Sequence, residues 1–289
     1  MFVSGFTFIR NAVRYDYPIL EAIRSILPLC DEVVVAVGRS EDGTRELIEG
    51  LGDPRIRIID TEWDDSLREG GRVLAVETNK ALAAVAPQSD WCVYIQGDEV
   101  LHENGLPAVR EAMRTADDRV DGLLFAYTHF YGSYDYVGAS AGWYRHEIRA
   151  IRPGRGIFSY RDAQGFRKAP DRPLDVVRVG ATVHHYGWVK EPAAMQRKQE
   201  SFHRMWHDDA WVAQHVVPAE AFDYGRELRH LARFTGTHPA VMAERIARRN
   251  WTFETDISVD RRTLKDRVKL FCAERLGWEL GYTNYRLIR

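Results

Sequence analysis

Trp91-Cys92-Val93-Tyr94-Ile95-Gln96-Gly97-Asp98-Glu99 is an apolar run that ends abruptly in acid. Consecutive β-branched and aromatic residues from Trp91 to Ile95, with no polar alternation, predict a strand buried on both faces. Gly97 lets the backbone turn, so that Asp98 and Glu99 stand at the carboxyl end of that strand. In open α/β sheets the ligand crevice lies outside those ends. Two hard oxygen donors there suit a divalent cation held against a phosphate. An isolated Asp-Glu pair is more often a solvated turn that caps the next helix. The surrounding elements decide between the two.

Upstream, Phe2 to Ile9 reads as a strand, Pro18 to Leu27 as an amphipathic helix stopped at Pro28, and Glu32 to Val37 as a second buried strand. Thr44 to Leu51 has helical spacing, Arg55 to Asp60 makes a third strand, and Gly71 to Val85 a long helix. Strands alternating with helices in this way predict a parallel, doubly wound sheet. Downstream the pattern changes. Gly122 to Phe130, Trp143 to Ile151 and Asp175 to His184 read as longer strands that extend the sheet in mixed fashion. From Pro192 onward the chain is helical and charged, rich in Trp, His and Arg. The expected division is 1–121, 122–190 as the second half of the same sheet domain, and 191–289 as a helical extension.

Composition narrows the function. The 289 residues are 45% hydrophobic and 28% charged, with a net charge of -2, so no basic field recommends nucleic acid as a partner. Three cysteines, Cys30, Cys92 and Cys272, lie too far apart for a metal spacing or a disulfide framework. They fit a reducing, cytoplasmic setting. No stretch approaches the length of an apolar membrane span, and the short run before Arg10 is no signal peptide.

Several other constellations could carry chemistry. Thr7-Phe8-Ile9-Arg10-Asn11 closes the first strand, and Ser40-Glu41-Asp42-Gly43-Thr44 follows the second. Trp63-Asp64-Asp65 and Arg68-Glu69-Gly70-Gly71-Arg72 lead into the helix that carries Asn79, whose amino terminus suits an anion. In Val183-His184-His185-Tyr186-Gly187-Trp188, strand alternation sends the two histidines to opposite faces, so one at most serves a given site. His203 and His207 share a helix face but read as polar surface.

In this order the pieces resemble the family 2-type glycosyltransferases of the GT-A fold. That resemblance implies a Rossmann-like mixed sheet flanked by helices, with a sugar nucleotide lying across the strand ends. It also implies a divalent metal, Mn2+ or Mg2+, held on the diphosphate by an Asp-x-Asp motif and a later histidine. Carried over, Asp98 is the second acid of the motif, and His185, or else His184, is the later ligand. Phe8, Arg10, Asn11, Gly38, Asp42, Arg72, Asn79, Gln96 and Gly97 are the implied donor-binding set. Three positions depart from the pattern: Gln96 replaces the first acid, Ala12 replaces the acid after Asn11, and Val37-Gly38 replace an acidic pair.

The implied activity is transfer of a sugar to a glycan or small-molecule acceptor, with inversion. Inversion needs a base for the acceptor hydroxyl. Asp162 is the first choice, with Glu147 and Asp135 as alternatives. A nucleotidyltransferase would carry a Gly-rich loop after the first strand, where this chain has Arg10-Asn11-Ala12-Val13-Arg14. A non-catalytic glycan-binding relative is the third reading. The Arg-rich stretch from Arg245 to Lys269 reads as a solvated face or homo-oligomer contact, with anionic lipid as the other candidate.

Overall fold

The computed structural model describes every residue except Val217, Glu227, Gly277, Glu279, Tyr282 and Arg289. Four parallel strands open the chain: β1 (Val3–Ile9), β2 (Glu32–Gly38), β3 (Ile56–Thr61) and β4 (Trp91–Tyr94), ordered β4-β1-β2-β3. Val33, Val35 and Val37 of β2 enter one apolar layer while Val34 and Ala36 enter another, so both faces of the sheet need cover. That cover comes from α1 (Ile19–Ile26), α2 (Thr44–Glu49) and α3 (Arg72–Ala83). On α1, Ile19, Ala22, Ile23 and Ile26 recur at helical spacing and are fully buried. Each isoleucine so buried contributes about 1.5–3 kcal/mol.

The sheet then turns mixed, as the sequence predicts. The next elements are β5 (Glu99–Leu101), α4 (Leu106–Thr115), β6 (Gly122–Tyr131), β7 (Ser133–Gly138) and β8 (His146–Ile151). A hairpin of β9 (Ile157–Tyr160) and β10 (Gly165–Lys168) precedes the long β11 (Leu174–Trp188). β8 lies antiparallel between β4 and β6, and β11 runs parallel to β6 and antiparallel to β5. Helices α5 (Pro192–His203), α6 (Asp209–His215), α7 (Ala243–Ala247) and α8 (Leu264–Phe271) dominate the rest. Two short strands there return to the sheet, β12 (Leu231–Arg233) on β7 and β13 (Tyr285–Leu287) on β11. Among the described residues no helix is long and apolar enough to cross a membrane.

Glu99 departs from expectation. Instead of projecting beside Asp98 it belongs to β5, is wholly buried, and receives both arms of Arg149 at 2.8 and 2.7 Å. Its register opposite His185 puts it on that histidine's face of the sheet, where Tyr127 Oη also donates to it at 2.8 Å and the Gln96 amide at 3.1 Å. Glu99 is therefore a brace inside the sheet and has no lone pair left for a cation.

Candidate active site

The chain from Gln96 to Asp98 turns at the end of β4, and β11 is registered so that His185 sits opposite Glu99. The Tyr186 amide donates to the Asp98 carbonyl at 2.8 Å, which fixes the turn against the strand. His185 and Asp98 meet here, with 3.7 Å between Nε2 and Oδ1. Gly187 makes the approach feasible, because a Cβ there would lie 2.8 Å from Asp98 Oδ2 and 2.7 Å from the His185 ring. His184 points to the other face, buried among Phe130, Phe234 and His102. Of the two histidines, the structure brings His185 to Asp98.

Proton positions follow from the hydrogen-bond network. His129 Nε2 lies 2.8 Å from the Tyr144 carbonyl, an acceptor only, so that nitrogen carries hydrogen. Burial, reinforced by neighbouring His185, pushes the His129 imidazole down to about 3, so its Nδ1 is a bare acceptor. The contact of 3.1 Å between the two Nδ1 atoms then requires His185 Nδ1 to donate. Burial also lowers His185 despite the nearby Asp98 charge, so its Nε2 holds a lone pair. That lone pair faces a carboxylate oxygen. Two acceptors aimed at each other across 3.7 Å repel unless a cation lies between them, and bonds of about 2.0–2.2 Å to each would span the gap.

Burial acts most strongly, to raise the Asp98 carboxyl, but the Lys198 ammonium on α5, together with His185 and Lys190, reverses that and holds the group down at about 2. Lys198 Nζ lies 3.3 Å from Asp98 Oδ2 and donates to the Gly187 carbonyl at 2.8 Å. Among the described residues no three His, Cys, Asp or Glu side chains converge as ligands. A cation placed between Asp98 and His185 would meet only those two ligands among the described residues, and would need its remaining ligands from elsewhere.

Beside this centre lies a cavity of about 730 Å³, lined by Trp143, Tyr144, Glu147, Asp162, Trp206 and Asn284 among others. Tyr144 is also the residue whose carbonyl orients His129, so the cavity wall and the Asp98 centre are joined. Both leading acid candidates line this cavity. Asp162 stands between Arg161 and Ala163, each at positive φ, and burial raises its carboxyl above the ordinary range. Glu147 on β8 accepts from Gln164 at 3.0 Å and Asn284 at 3.2 Å, and burial pushes it up to about 7. Asp135 is engaged elsewhere, by Arg249 at 2.7 Å.

The other sequence-derived positions divide between strand ends and scaffolding. A second cavity, of about 380 Å³, opens at the ends of β2 and β3 and includes Gly38, Ser40 and Thr61. Trp63 packs into the space a Gly38 side chain would need, against Phe8 on one side and beneath Arg10, whose guanidinium lies 4.4 Å from its ring. Arg10 also pairs with Asp65 at 2.8 Å. Asn11 and Asp42 tie loops: Asn11 accepts from the Glu41 amide, and Asp42 accepts from Thr44 and from the Arg14 amide. Asn79 clamps Ser159 of β9 through both its amide groups. Gln96 donates to the Ala163 carbonyl at 3.0 Å, which ties the turn to the Asp162 loop. Gly97 fits closely against Ile9. Arg72 is exposed in the first turn of α3.

Sequence reasoning passed over Lys198, His129 and Arg149. Arg149 left a signal, a base set between the apolar Ile148 and Ala150 of β8, and His129 likewise interrupts an aromatic strand. Lys198 left none, since only the docking of α5 brings it to Asp98.

No family model and no curated protein matches the chain. Among solved structures it is similar to S. aureus TarS, at 15% identity and a TM-score of 0.42 over 70% of this chain and 39% of that one. It is also similar to glucosyl-3-phosphoglycerate synthase from Mycobacterium tuberculosis, solved with Mn2+, uridine diphosphate and phosphoglyceric acid. The identity there is 20% and the TM-score 0.30, over 45% of this chain and 43% of that one. A third is 4-diphosphocytidyl-2C-methyl-D-erythritol synthase from Anaerococcus prevotii, at 15% identity and a TM-score of 0.34 over 52% of this chain and 71% of that one. The chain thus spans well under half the length of the first two.

Proposed function

We propose that this chain is a glycosyltransferase that moves a sugar, with inversion, from a nucleoside diphosphate to a hydroxyl acceptor. The observation that carries the reading is the facing lone pairs of Asp98 and His185 at the strand ends, beside an acid-lined cavity. The nucleotide would lie along the ends of β1 to β4, with its diphosphate toward Asp98, and the acceptor in the cavity. A divalent cation, Mn2+ or Mg2+, bound by Asp98 and His185 would supply charge neutralisation for the departing diphosphate.

The chain's own residues do the rest. Lys198 sets the Asp98 carboxylate in place and adds a fixed positive charge beside it. His129 holds His185 in the tautomer that leaves Nε2 bare. Asp162 takes the acceptor proton, and the burial that raises its carboxyl makes it a better base than an exposed aspartate. Trp143, Tyr144 and Trp206 offer flat apolar walls for sugar faces.

The test is release of nucleoside diphosphate from UDP-, GDP- and dTDP-sugars by the purified chain with Mn2+, with and without chelator. Asp98→Asn should lower release by about 100-fold or more. Undiminished release by that variant would remove Asp98 from the chemistry. Pyrophosphate released from nucleoside triphosphates instead would replace this reading with nucleotidyl transfer.

A further inference from the structure

Helix α8 is held to the protein by one side only. Thr263 and Asp266 form a capping box at its start, Asp266 also accepts from the Ala141 amide, and Leu270 is buried. Leu264, Val268 and Phe271 repeat at i, i+4 and i+7 on the opposite side, and are 79%, 50% and 59% exposed. Leu276 and Trp278 continue the exposed apolar surface beyond the helix. Single exposed hydrophobes are ordinary, but a contiguous stripe marks a surface with a partner.

The charge around the stripe indicates the partner. From Arg261 to Leu276 the bases are Arg261, Arg262, Lys265, Arg267, Lys269 and Arg275, while the acids are Asp266 and Glu274. The whole chain is by contrast slightly acidic, with a net charge of -2. Lys265 and Arg267 flank the stripe from the two neighbouring rows of the helix, Arg267 while paired with Asp260 at 3.2 Å. An apolar face bordered by bases, with a tryptophan nearby, is the design of a helix that lies in the plane of an anionic bilayer. A second protein copy would present the same basic rim and repel it.

We propose that the α8 face, Leu264, Val268 and Phe271 with Trp278, docks on the surface of an anionic lipid membrane. Lys269, Leu270 and Ala273 of the same segment line the large cavity from the helix's inner side, away from the stripe. The surface is independent of the transferase chemistry and is tested without substrate.

The full chain is sedimented with vesicles of phosphatidylglycerol and phosphatidylcholine, and separately with phosphatidylcholine alone. Binding to the anionic vesicles, weakened by salt, is expected. Leu264→Ser, Val268→Ser and Phe271→Ser together should lower it about tenfold or more, since three exposed apolar side chains lose their burial in lipid. Lys265→Glu with Arg275→Glu should lower it through charge alone. All these positions are exposed, so circular dichroism and thermal midpoint should stay unchanged. Absence of vesicle binding by the wild-type chain, or equal binding by both variants, overturns the proposal. So does a dimer in ultracentrifugation that the triple substitution dissolves while vesicles stay unbound, because a second copy would then own the face.

Discussion

Glu147 holds a proton more tightly than an exposed carboxyl does. Its two oxygens accept from Gln164, Asn284 and the Ile148 amide, yet burial still raises the carboxyl from 4.5 to about 7. The folded state therefore binds this proton more tightly than the unfolded chain. Stability attached to it is present below the unfolded value and declines as pH rises from about 4.5 through about 7, by about 3 kcal/mol. Glu147→Gln removes the titration. The variant should gain about 2.5 kcal/mol on the wild type between pH 5 and pH 8, read from urea unfolding at each pH. A difference that does not change with pH would mean the carboxyl titrates normally. Gly187 acts at the same scale through the space it leaves. Gly187→Ala puts a methyl 2.8 Å from Asp98 Oδ2, so Mn2+ affinity should fall about tenfold or more while the thermal midpoint moves little. Unaltered Mn2+ titration by calorimetry would show that the carboxylate has room to move.

Strands β5 and β8 are joined by the buried Glu99–Arg149 pair, whose guanidinium also sits 5.2 Å from the rings of both Tyr94 and Tyr127. Removing one partner strands the other charge in the core, so Arg149→Met should cost about 3–5 kcal/mol in urea titrations. Adding Glu99→Gln should recover part of that loss, and failure to do so would point to packing instead of charge. These elements also show what a sequence can disclose. β1 to β4 were legible because buried parallel strands are continuous apolar runs. The Asp98 and His185 placements were legible because strand ends and alternation are local properties. β5, β12 and β13 have three residues each and exist only through their partners. β11 outran its expected limits because Arg178 and Gly180 interrupt its alternation while its hydrogen bonds to β6 and β5 carry it on to Trp188. Glu99 was misplaced because its partner lies 50 residues away in sequence.

Across the whole molecule, the face of the sheet opposite Asp98 gathers His184, His102 and His238 around Phe130, Tyr186 and Phe234. Burial lowers His184 from 6.5 to about 3, and lowers His238 in the same direction. The folded state therefore prefers these rings neutral. Their contribution is intact above the unfolded value and is lost as pH falls toward 3, with about 2 kcal/mol gone at pH 5 for His184 alone. Against a total of about 5–15 kcal/mol, that makes this layer a point of acid failure. His184→Phe should hold about 2 kcal/mol more of its neutral-pH stability at pH 5 than the wild type does. Parallel acid profiles for the two proteins would place the weakness elsewhere.

The two histidine environments, one for chemistry and one for cohesion, are separated by a single step along β11. From Thr182 to His185 that strand pairs with β6 in unbroken register, whereas the step from Arg178 to Thr182 already contains an irregularity. An added or lost residue at the irregular step can be absorbed there. The same change between Thr182 and His185 would exchange the roles of His184 and His185 and undo both environments at once. Over evolutionary time this strand should accept insertions and deletions around positions 179–181 and, from 182 to 185, vary only by replacement.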